Sequence, residues 1–159
     1  MGQYFKVVNT TKKQVMYPHA FGSGAKLMEF SSDGMSMMQG LAILLADGNG
    51  RGGGDLHSGN PIIGSWAGDS IVVAGDYADE GNFIENEDEM SKNLYQVSET
   101  YEDISFKVIE CLCEDEWWKQ HYYDEWKARN FEDWNEERQQ FKVDLFGEKG
   151  SKMKTPTYA

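Results

Sequence analysis

The sequence predicts an α+β fold: a small antiparallel sheet built from hairpins, packed on a buried helix and followed by an acidic, aromatic-rich helical region. Three observations carry that prediction. Short runs rich in β-branched and aromatic residues, QYFKVVN at 3–9, PIIGSW at 61–66 and SIVVA at 70–74, are bounded by Thr, Gly, Asp and Pro. The stretch MSMMQGLAILLA at 35–46 has the long straight side chains of a helix. Beyond residue 103, apolar and aromatic residues recur every three or four positions among carboxylates.

Taken in order, residues 3–9 and 14–17 form an opening β-hairpin that ends at Pro18. In residues 21–30, FGSGAKLMEF, the glycine pair argues for a turn, and 25–30 fits a short strand or a helical turn, the strand being preferred. Asp33 can cap the helix at 35–46 and Gly48 can end it in the left-handed conformation. Because that helix is apolar on nearly every side, it is expected to be buried against the sheet. Residues 48–60, GNGRGGGDLHSGN, are too glycine-rich for regular structure and form a loop. Residues 61–66 and 70–74 read as a second hairpin turned at Ala67, Gly68 and Asp69. An acidic connection at 78–92 leads to a possible edge strand at 94–98, and Asp103 is a plausible helix cap. From there Ile104, Val108, Cys111 and Leu112 mark an inner face that continues through Trp118, Tyr122, Trp126 and Phe141, in one long helix or two. Residues 1–146 make one domain, with the helical region at about 103–146, and 147–159 form a loosely ordered tail.

The 159 residues carry 15 Lys+Arg against 27 Asp+Glu, a net charge of −12. With 40% apolar and 13% aromatic residues, the chain is too hydrophobic for the disordered class in spite of that charge. The charge is unevenly spread: residues 1–75 are neutral, whereas 76–137 hold 20 acids against 5 bases. Such an excess disfavours direct nucleic-acid binding, which depends on clustered cations, and attraction to an anionic membrane. The longest apolar stretch, near 41–46, is far short of a membrane span, and the amino-terminal residues lack the apolar core of a signal peptide. Cys111 and Cys113 stand too close together for an ordinary disulfide and fit a reducing cytoplasm.

Several motifs touch the glycine loop. Residues 48–53 match G-x-G-x-x-G literally, but the loop leaves a helix and leads to a hairpin, the reverse of a dinucleotide site. Asp47, Asn49 and Arg51 mimic the start of an EF-hand loop, which then fails at Ser58, where a bidentate Glu is needed. Arg51, with Asn49, Gly53 and Gly54, could clamp an anion. Gly54-Asp55-Leu56-His57 and the later Gly75-Asp76-Tyr77-Ala78-Asp79-Glu80-Gly81 resemble the first two metal motifs of the metallophosphoesterase family, GDxH and GDxxDxG. That resemblance implies a divalent metal held by Asp55, His57 and Asp76. The chain departs from it at Glu80, where the family has arginine, and by lacking a Gly-Asn-His-Glu motif. Cys111, Cys113 and His121 make a poor zinc set because residues two apart on a helix diverge; Cys111 fits the core and Cys113 reads as a partly exposed thiol.

The segments MGQYFKVVN, PHAFGSGAKLMEF and LAILLADGNGRGGGDLHSGNPIIGSWAGDSIVVAGDYAD together resemble a family of small uncharacterised proteins of bacteriophages and bacteria, over roughly the first 110 residues. The resemblance implies a bacterial or phage-infected cytoplasm and no known activity. After Glu114, four of the five tryptophans lie among acids, more aromatic surface than one buried stripe absorbs. Aromatic residues beside charge are what protein interfaces use as anchors. The leading expectation is therefore a non-enzymatic acidic binding protein, without cofactor, that engages a basic surface of a partner protein. Its face would be Glu114, Asp115, Glu116, Asp124, Glu125, Glu132 and Asp133, with Trp117, Tyr123 and Trp134 as anchors. Carboxylates displayed where phosphates would lie could also mimic a nucleic acid and inhibit such a partner. The alternative is a small metal-dependent, phosphoesterase-like or phosphate-binding protein centred on the glycine loop.

Overall fold

In the computed structural model, which describes residues 2–31, 37–129 and 136–147, the amino-terminal hairpin forms as its sequence requires. Strands β1 (Phe5–Asn9) and β2 (Gln14–Met16) pair antiparallel with Val8 opposite Val15. Their turn is closed by the Asn9 side chain, whose Oδ1 accepts the Lys12 amide at 2.8 Å, while Lys13 takes a left-handed φ of 55°. The run at 70–74 also becomes a strand, β3 (Ile71–Gly75), but its partner is β1, antiparallel, with Val7 opposite Val73. A two-residue strand, β4 (Glu102–Asp103), adds to β2 in parallel. The sheet order is β3-β1-β2-β4, so the sheet is mixed rather than wholly antiparallel.

The chain contains six α-helices among the described residues: α1 (Leu27–Phe30), α2 (Met37–Leu45), α3 (Leu94–Val97), α4 (Ser105–Leu112), α5 (Glu116–Arg129) and α6 (Glu136–Phe146). Three of the expected strands are not formed. Residues 21–30 end in the single turn α1, where Glu29 Oε1 accepts the Lys26 amide at 3.0 Å. Residues 61–66 wind into consecutive turns whose amides serve α2 instead of a strand partner: Gly64 N–H donates to Ile43 O at 2.8 Å and Trp66 N–H to Leu44 O at 2.9 Å. Helix carboxyl ends leave carbonyls without intrahelical donors, and this segment supplies two. Gly64 takes φ +76°, outside the strand region, and an added Cβ there would lie 2.5 Å from Ala46 O, so only glycine fits this turn. Residues 94–98 form α3 because Asn93 and Gln96 make a reciprocal capping box.

Helix α2 buries one face, not all sides: Met37, Gly40 and Leu44 face inward, whereas Met38 and Leu45 are more than a third exposed. Its expected cap, Asp33, lies outside the described residues. Gly40 lets α2 approach its neighbours, since a Cβ there would lie 2.8 Å from Val108 Cγ1 on α4 and 3.0 Å from Phe21 Cε1. The alternation of β1 divides the core between the two sheet faces. Val7 joins the main cluster with Phe21, Trp66, Val108 and Tyr122, and Val8 a smaller one with Val15, Ala74 and Leu94.

The helical region is broken rather than continuous. Asp103 Oδ1 accepts Ser105 N–H at 2.9 Å and so starts α4, and Asp115 Oδ1 accepts Trp117 N–H at 3.0 Å and so starts α5. Phe106 stacks on Phe141 with centroids 4.5 Å apart, and Tyr123 and Trp126 meet Phe146, which holds α6 against α4 and α5. Cys113, expected to be partly exposed, is 4% exposed and belongs to the core with Cys111. No helix among the described residues is long and apolar enough to cross a membrane.

Candidate functional site

The glycine loop is ordered by two of its own polar residues. Asn49 pairs its side-chain amide with the backbone of Leu56, accepting N–H at 2.9 Å and donating to the carbonyl at 3.0 Å. Asp55 Oδ2 accepts three backbone N–H groups, from Gly50, Arg51 and Gly52, at 2.9–3.0 Å. Those three bonds hold the Asp55 carboxyl below the usual carboxylate range. Arg51, Gly53 and Gly54 are exposed around this turn. Leu56 is buried and anchors the loop to the core.

The sequence placed Asp55, His57 and Asp76 together as metal ligands, and the structure does not. Asp55 is committed to its own loop through the Gly50, Arg51 and Gly52 amides. His57 points to solvent and approaches Asp115, Nδ1 to Oδ2 3.6 Å. Asp76 follows β3 at the end that pairs with the start of β1, where its Oδ1 accepts Tyr4 N–H at 2.9 Å and its own N–H donates to Tyr4 O. Asn93 Nδ2 donates to the carbonyls of Asp76 and Ala78, fixing that corner. Among the described residues no group of three or more His, Cys, Asp or Glu side chains is disposed to hold a metal ion. Burial pushes the Cys111 thiol up to about 11 and the Cys113 thiol up to about 12, the range of inert core cysteines.

The acidic face is partly spent inside the molecule. Glu114 takes hydrogen bonds from Ser58 Oγ and, at 2.9 Å, from Asn60 Nδ2, so the end of the glycine loop is tied to the corner between α4 and α5. Asp115 is the α5 cap and the neighbour of His57. Glu116 and Asp124 are exposed on α5, and Glu125 is half-buried. Trp117 is 64% exposed, with its ring stacked on His121 at 5.1 Å and edge-on to Trp118 at 4.5 Å. Tyr123, expected as a second exposed anchor, is half-buried against Phe146 because α6 covers that side of α5. Glu132, Asp133 and Trp134 lie outside the described residues.

Sequence reasoning missed two features. Lys6, the second residue of β1, is 1% exposed, and its Nζ lies 4.1 Å from the Tyr95 ring centroid and 5.0 Å from that of Tyr17. A groove of about 770 Å³ lies between Ser70, Ile71 and Val72 on one side and Phe83, Ile84 and Glu85 on the other. The available signal for it was the apolar IVV run followed by FIENEDE, an apolar pair within a run of acids. No family model, curated protein or solved structure matches the chain.

Proposed function

We propose that this is a non-enzymatic acidic binding protein that engages a basic surface of a partner protein through the start of α5, in the bacterial or phage-infected cell that the sequence resemblance implies. The observation that carries the reading is Trp117. An indole that large is rarely left in water, and this one is held in place by His121 and Trp118. An anchor already fixed loses little side-chain entropy on binding, which is how interface tryptophans gain their energy. Glu116 stands beside it and Asp124 further along α5, both exposed, to meet cations. Glu114 supports the face by tying the glycine loop to it through both of its oxygens, and keeps its charge because Ser58 and Asn60 are neutral donors.

The test compares proteins retained from a bacterial lysate by the immobilised chain, by Trp117→Ala and by Glu116→Lys. At about 50 mM salt a basic partner is expected on the unaltered chain and strongly reduced on both variants, and it should be released near 0.5 M salt, where charges further apart than about 4 Å are screened. A retained protein indifferent to salt and to both substitutions would remove the electrostatic, Trp117-centred reading.

A further inference from the structure

We propose that the outer edge of β3, with the groove beside it, takes an extended basic segment of a partner protein as a fifth strand of the sheet. The surface is separate from α5, and the inference does not rest on the reading of Trp117.

The ladder shows which groups are free. Thr10 N–H donates to Ser70 O at 3.0 Å and Asp76 N–H to Tyr4 O at 2.9 Å, so residues 70, 72, 74 and 76 direct their backbone groups at β1. By the same alternation Ile71 and Val73 direct theirs outward, and β3 stands at the edge of the sheet, with no further strand beyond it among the described residues. Gly75 O is taken by Ala78 N–H, which ends the free edge at Val73. Edge strands in monomeric proteins are ordinarily blunted by Lys, Pro or a bulge. Here the sequence is Ile-Val-Val-Ala-Gly with regular pairing to β1, and Val73 is 42% exposed.

Charge selects the occupant. The segment after β3 carries Asp79, Glu80, Glu85, Glu87, Asp88 and Glu89 with no base before Lys92. Glu85 and Glu89 line the groove and form no ion pair among the described residues. Their negative field is felt within the groove: burial first, then Glu89 and Glu85, raise the Tyr101 phenol above its ordinary value. A second copy of this chain would bring another such run, and another −12, to the same edge. A cationic strand meets two carboxylates, Glu85 and Glu89, against the one cation of the groove lining, Lys13.

The shape of the groove adds a pattern. An added strand turns every second side chain to the same face. The groove is lined by Phe83 and Ile84 together with Glu85 and Glu89, apolar surface beside carboxylates that suits the stem and head of Lys or Arg. Phe83 is held at φ 61°, a costly conformation for a non-glycine residue, and is 67% exposed at this wall. The segment recognised therefore has Lys or Arg at alternate positions and small or β-branched residues between them.

The test is binding of a fluorescent peptide, KVKTKVK, to the full chain by anisotropy, with EVETEVE as the control. Only the basic peptide is expected to saturate, and the amides of Ile71 and Val73, expected to exchange readily in the free protein, should become protected in the complex. Val73→Pro removes an outward N–H and none of the ladder to β1, and is expected to weaken binding at least tenfold. The double substitution Glu85→Gln with Glu89→Gln should weaken binding several-fold and flatten its salt dependence, which holds as a test even if Val73→Pro fails to fold. Trp117→Ala should leave the peptide affinity unchanged, so the two surfaces are distinguished. Absence of saturable binding, binding indifferent to the double substitution, or a free chain that sediments as a dimer with Ile71 and Val73 already protected would overturn the proposal.

Discussion

Lys6 carries the clearest pH dependence at the scale of single residues. Burial lowers its ammonium from the ordinary 10.5 to about 8, with Glu99 and Asp103 opposing the shift. Between those two values the unfolded chain binds more protons than the folded one, so stability rises with pH across that interval, and below about 8 the full penalty is present. Tyr17 and Tyr95, raised chiefly by burial, act in the opposite sense once phenols ionise near pH 10. Urea unfolding between about pH 7.5 and 9.5 should therefore show a gain on the order of 1–2 kcal/mol, and Lys6→Met should abolish the slope. None of this was legible in QYFKVVN, where a lysine among β-formers looks like an outward residue, because its cover, Tyr95, comes from a distant part of the chain. At Asn49 and Asp55 the residue types were legible and their use was not. Spacing alone does not separate an acid that binds a ligand from one that caps its own loop, and the local bonds won.

Between elements, the contact of α2 with α4 depends on the missing side chain at Gly40. Alanine there gains about 1 kcal/mol of helix propensity, while overpacking against Val108 and Phe21 costs about 1–3 kcal/mol. Gly40→Ala is expected to lower the urea midpoint at unchanged m-value; a rise in the midpoint would show that the contact is loose. The sequence located β1, β2, β3 and the α2, α4, α5 and α6 regions because their periodicity is local. It misled at 61–66, where β-forming residues were drawn to the open carbonyls of α2, a demand that exists only once the helix is in place. At 94–98 the signal was present, since Asn93 and Gln96 have capping-box spacing, and the β-formers Tyr95 and Val97 masked it.

Considered as a whole molecule, the chain cannot be divided where its charge divides. Tyr122, Trp126, Phe141 and Phe146 of the acidic helical region belong to the same core as Val7, Phe21 and Trp66. A chain ending at Glu114 is therefore expected to lose its near-ultraviolet circular dichroism and to expose apolar surface, and removal of the helices does not isolate their binding role from folding. Point substitutions at Trp117, Glu85 and Glu89 do, because these side chains stand at the surface. The connection after β3 and the start of α5 hold ten of the 20 acids of residues 76–137, and both are attached to one core.

The strand order β3-β1-β2-β4 has a consequence for synthesis. The β1–β2 hairpin ends up in the middle of the sheet, and both of its neighbours are translated after it. At roughly 5–20 residues per second, β4 follows β2 after on the order of ten seconds. Through that interval Val7, Val8, Val15 and Met16, all fully buried in the finished protein, gain their cover piecemeal, from Phe21, Trp66 and Ala74 before the helices beyond residue 103 are made. Lys6 in β1 and Lys12 and Lys13 in the turn are the charges that the nascent hairpin carries against premature pairing.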